Sequence, residues 1–98
     1  MTKHDFSELE SLVPALIADM PTEFSSHKFI LKFAQQHQHA YIRALNLCLD
    51  LEAPFQRVHK WFSDHLKQYP TLLQQLEQGS SRDIFGHSNT CAFWKKLS

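Results

Sequence analysis

Apolar residues recur along this chain at three- and four-residue steps, the spacing of helices that bury one face. In residues 5–20 the stripe is Phe6, Leu9, Leu12, Val13, Leu16, Ile17 and Met20, with Ser7 and Glu10 spaced as a capping box. Pro14 falls inside it, where it forfeits a hydrogen bond and crowds the carbonyl of Glu10, so a kinked helix is expected. Residues 27–51 carry the longest pattern. Lys28, Lys32, Gln36, His39, Arg43, Asn46 and Asp50 share a polar stripe, opposite Ile30, Phe33, Ala34, Tyr41, Ala44, Leu45 and Cys48. The unbroken phase favours one long helix over two meeting at a bend, for which the polar run from Gln35 to His39 is the natural place. Between residues 40 and 51 only Arg43, Asn46 and Asp50 are polar, which puts this stretch at the expected centre of the core.

Pro54 suits the first turn of a third helix, whose inward stripe is Phe55, Val58, Phe62, Leu66 and Tyr69, with Trp61 at its edge. Pro70 stops that helix and opens a short one carrying Leu72, Leu73 and Leu76, with Gly79 at its end. Residues 80–86 then form a connection from which Ile84 and Phe85 turn back to the core. A last short helix holds Cys91, Trp94 and Leu97, capped by Ser88 or Asn89. The predicted fold is all-α, a compact orthogonal or irregular helical bundle of four to six helices, with its central helix within residues 27–51. Residues 1–98 make one domain, about 60% or more of it helix against the usual third. A strand hairpin around residues 84–93 would instead point to a winged-helix domain.

Composition narrows the class. Apolar residues are 43% of the chain and charged residues 20%, with only two Gly and four Pro, which excludes a disordered or low-complexity chain. Ten basic and ten acidic residues cancel, removing the simplest argument for a polyanionic partner. The distribution is uneven: residues 1–27 hold one Lys and five acids, and the remainder nine basic and five acidic residues. These halves attract each other, within one chain or between copies. No basic-then-apolar leader and no long apolar run occurs, so a cytoplasmic chain is expected, with no membrane partner.

Candidate chemistry is sparse. Seven histidines invite a metal, yet His37 and His39 project in different directions on a helix, and His87 with Cys91 supplies two ligands where four are needed. Cys48 lies on an apolar face, where a thiol is an inert small hydrophobe, and no Gly-rich loop supplies an oxyanion site. No enzyme activity, catalytic residue, cofactor or metal site is therefore assigned. The expected function is a non-catalytic interaction or assembly module, self-associating as a homodimer or larger homo-oligomer, or binding another protein partner. Trp61 and Trp94 are its candidate interface anchors. The alternative is a helix-turn-helix or winged-helix-like nucleic-acid-binding domain, with Lys28, Lys32, Lys60 and Lys67 as candidate phosphate contacts.

Overall fold

The computed structural model describes residues 6–97, and about 51% of these described residues are helix and 20% strand. In chain order the elements are α1 (Ser7–Asp19), β1 (Glu23–Ser25), α2 (Ser26–Gln36), α3 (Gln38–Leu47) and α4 (Pro54–Leu66). There follow β2 (Leu73–Gln75), β3 (Gly79–Arg82), β4 (Ser88–Cys91) and β5 (Phe93–Lys96). The all-α helical bundle is thus corrected to an α+β fold. A three-stranded antiparallel sheet runs β1-β5-β2, and β3 and β4 form a separate antiparallel hairpin.

Apart from β1, the correction falls in the C-terminal third, and its cause is element length. Strands of three or four residues offer one or two inward positions each, too few for a period of two to outweigh an apparent helical step. In β5 the buried residue is Trp94, flanked by half-buried Phe93 and exposed Lys95, and Ala92 just before the strand is buried. The expected helix through Leu72 and Leu76 is a turn and strand β2, whose Leu73 alone is buried. The expected final helix is β4 and β5. Between β3 and β4, Asp83 and Gly86 bracket a tight turn closed by the Gly86 N–H donating to the Asp83 carbonyl at 3.0 Å. Gly86 has φ of +83°, a conformation in which glycine carries no side-chain penalty.

The long central helix is also corrected, to two. The chain breaks at His37, with φ −125° and ψ 56°, and α3 starts at the next residue. A one-residue break leaves the apolar phase intact: Phe33, Ala40, Ala44 and Cys48 still fall on the buried side. Nor are residues 40–51 the centre of the core. Ala40, Tyr41, Ala44 and Cys48 are buried, but Ile42 and Leu49 are 59% and 69% exposed. The centre is instead Phe29, Phe33 and Phe62, with ring centroids of Phe33 and Phe62 4.7 Å apart. Helix α1 runs through Pro14 without interruption, the proline lying on its exposed side.

The start of α2 ties the layers together. Ser25 caps α2 by accepting from the Lys28 N–H at 3.1 Å and also accepts from the Ser81 hydroxyl at 3.2 Å. Ser26 donates its N–H to the Ala92 carbonyl at 2.9 Å, and its buried hydroxyl accepts from the Trp94 indole N–H at 2.9 Å. Among the described residues no helix is long and apolar enough to cross a membrane. Ser26→Ala leaves the indole N–H of a residue only 2% exposed without an acceptor. The expected loss is about 1–3 kcal/mol in urea melts, and the double variant Ser26→Ala/Trp94→Phe should lose less than the two single losses added together.

Candidate functional site

A cleft of about 540 Å³ lies between α4 and the β3–β4 hairpin. Helix α4 begins at Pro54 after Ala53, which takes a left-handed N-cap conformation with φ 55°. Its buried side is Val58, Phe62 and Leu66, so the helical period turns Gln56, Lys60, Ser63 and Lys67 toward the cleft. The facing wall brings Asn89, Thr90 and Cys91 from the hairpin, and Gln75 and Gln78 from β2 and the residues after it.

The charges in the cleft are mixed. Lys60 Nζ lies 2.9 Å from Asp64 Oδ2 and Lys67 Nζ 3.9 Å from Asp64 Oδ1, so one carboxylate serves both lysines. Asp83 also lines the cleft. Burial acts to raise its pKa, but N–H groups of His87 and Phe85 and the Asn89 amide hold the carboxyl below the ordinary value. His27 lines the same cleft, and its buried Nδ1 has no hydrogen-bond partner among the described residues.

One end of the cleft is aromatic. His59 Nε2 is 2.7 Å from the Tyr41 hydroxyl, and the His59 ring is inclined 27° to Phe85 with centroids 6.2 Å apart. Phe85 in turn meets Phe55 edge-on at 4.9 Å. Burial pushes His59 down to about 4, with Asp83 acting to raise it and His27 to lower it. Burial likewise raises Tyr41 to about 12, so both partners are neutral across the physiological range.

The candidate phosphate contacts do not share a face. Lys60 and Lys67 stand together in the cleft, whereas Lys28 lies across the hairpin, in a second hollow with His27, Leu31 and Arg82. Lys32 donates to the Asp19 carbonyl at 3.1 Å, at the C-terminal end of α1. Of the candidate interface residues, Trp94 is buried in the core. Trp61 is half-buried, stacked on His65 at 4.5 Å and edge-on to Phe6 at 5.5 Å. The aromatic end of the cleft was not among the expected sites. Its only local signal was the Asp83-to-Gly86 spacing of a turn, which would have brought Phe85 out of the core.

No metal or nucleophile set emerges among the described residues. No three of His, Cys, Asp and Glu are placed to hold a metal ion. His87 and Cys91, four residues apart in the sequence, stand before and at the end of strand β4, where four residues span about 13 Å. Burial, then the charge of Asp50, raises the Cys48 thiol, with Arg57 opposing, which keeps it protonated. Comparisons with protein-family models, curated proteins and solved structures find no match to this chain.

The depressed His59 has a consequence for stability. A histidine with a folded pKa below its unfolded value stays neutral in the fold while the unfolded chain takes up the proton. Its stabilising contribution is full above about pH 6.5 and disappears as pH falls toward about 4. With solvent screening of a half-buried ring allowed for, the contribution is about 1–2 kcal/mol. Urea melts at pH 7 and pH 4.5 should show a smaller drop for His59→Gln than for the parent chain. An equal drop in both would assign the acid sensitivity to other groups.

Proposed function

We propose that this chain is a nucleic-acid-binding domain of the winged-helix kind, with α4 as the helix offered to a duplex and the β3–β4 hairpin as the wing beside it. The observation that carries the reading is the polar stripe of exposed Gln56, Lys60 and Lys67 with half-buried Ser63, along the cleft next to a hairpin of small polar residues. A helix entering the major groove needs such side chains. Lysines displace counterions from phosphate, and lysine and glutamine reach the acceptor and donor atoms of base edges. The sheet order β1-β5-β2 supports the same reading, because it brings the hairpin between β2 and β5 back beside α4.

Charge limits the strength of binding. Asp64 partly neutralises both lysines, and the chain has no net charge, so affinity for unselected duplex should lie in the weak non-specific range of about 1–100 μM at low salt. Fluorescence anisotropy on a labelled duplex near 50 mM salt tests this. Lys60→Ala and Lys67→Ala should each weaken binding across sequences and reduce the salt slope by about one. Asp64→Asn should strengthen binding, by about three- to tenfold, because it removes a negative charge facing phosphate. No change on Asp64→Asn, or no retention of duplex at about 100 μM protein, would end the reading.

A second reading, self-association, has its own support in exposed Ile42 and Leu49, apolar residues of the stretch 40–51 that the protomer leaves uncovered. Light scattering coupled to size exclusion separates the two. A dimer dispersed by Ile42→Lys or Leu49→Lys, together with failure to bind duplex, would transfer the function to assembly.

A further inference from the structure

We propose that the hairpin end of the cleft receives an unpaired base, stacked against Phe85, so that the preferred ligand is a duplex carrying a single-stranded tail. This rests on the nucleic-acid reading above and specifies its substrate class. The starting observation is how much of the turn serves to hold one apolar ring at the surface. Asp83 accepts from the N–H of Phe85 at 3.0 Å, from the N–H of His87 at 2.9 Å and from the Asn89 amide at 2.8 Å. Arg82 donates across the turn to the Gly86 carbonyl at 3.0 Å. So pinned, Phe85 is still 48% exposed, and Phe55, which it meets edge-on, is 39% exposed.

Phe85, half open in the lining of a polar cleft, with His59 stacked against it and Phe55 edge-on to it, offers an aromatic ring beside hydrogen-bonding groups. Phe85 lies at the end of a lining that includes Gln56, Lys60 and Asn89. Stacked bases inside a duplex offer their edges, and only an unpaired base offers a face. Aromatic rings take such faces with little regard to sequence, while a neighbouring lysine follows the backbone. The cleft volume of about 540 Å³ falls in the range that encloses a small ligand, which leaves room for a nucleotide. The backbone of a tail entering here would run past Lys60, the same charge the duplex reading uses.

The test compares a blunt duplex with the same duplex bearing four-nucleotide 5′ or 3′ tails, by anisotropy at matched salt. A tail containing 2-aminopurine reports stacking by its quenching. The expected result is about tenfold tighter binding of one tailed form, with quenching, since loss of an aromatic–base stack costs between about 5- and 150-fold. Phe85→Leu should remove that advantage, so that tailed and blunt duplex bind alike, while Phe85→Tyr keeps it. Leucine retains an apolar group against Phe55, and a thermal melt confirms that each variant folds. Equal, salt-dependent binding of blunt and tailed duplex would overturn the stacking inference and leave the duplex reading standing. So would a tail advantage that survives Phe85→Leu. Binding of neither form would overturn both.

Discussion

The buried contact between the Trp94 indole and Ser26 is the joint on which the architecture depends. It joins the start of α2 to the middle strand of the sheet through a fully buried hydroxyl. The register Phe24↔Trp94 and Gln75↔Trp94 shows that the same residue is where β1 and β2 meet across β5. Ser25, one position earlier, caps α2 and receives the Ser81 hydroxyl of the hairpin. A shift of β5 by one residue would turn Trp94 outward and Lys95 inward, which the buried hydrogen bond forbids. The position of the hairpin relative to α2 therefore follows from two adjacent serines.

Electrostatics in the rest of the fold are mostly structural. Helix α1 has no basic residue in its last turn, so its C-terminal carbonyls are satisfied from elsewhere. Lys96 donates to the Ala18 and Met20 carbonyls at 2.9 and 2.8 Å, and Lys32 to that of Asp19. At the other end, Glu8 pairs with Arg43 through both carboxylate oxygens and binds α1 to α3. The attraction between an acidic N-terminal segment and a basic remainder is met here within one chain, at an exposed pair that contributes modestly. Lysines committed in this way are not available to a ligand. Lys60 and Lys67 differ because their partner, Asp64, lies on the same helix face and leaves them in the cleft.

The helical half of the fold was legible because it has length. Four helices of ten to thirteen residues each repeat their buried positions several times, and α4 displays Val58, Phe62 and Leu66 at a regular step. The strands have no such redundancy, and the apparent helical spacing of Cys91, Trp94 and Leu97 was coincidence. What identifies the hairpin is turn chemistry, an Asp three residues before a Gly that must take a positive φ. The break at His37 is hidden for the opposite reason, since omitting one helical residue preserves the phase on both sides. Of the cleft, the outward face of α4 was readable from periodicity. Its far wall was not, because nothing local to Asn89 or Phe85 indicates that they return to α4.

That return is what closes the far side of the cleft. His59 touches α3 through Tyr41, the hairpin turn through Phe85 and its own helix through Phe55, so a single ring locates three elements. Its neutrality follows from this enclosure, and Tyr41 as partner keeps the pair uncharged where an ion would have to be compensated. The hairpin is thereby fixed within β3 by Ser81 on Ser25 and at its tip by Phe85 on His59. If the hairpin is the wing proposed above, being held at two points means that it need not be ordered when a nucleic acid arrives, so little of the interaction energy is lost to conformational entropy. On the proposed nucleic-acid reading the cost of association falls on charge, and Asp64 beside two lysines is the feature that would set how tightly a polyanion is held.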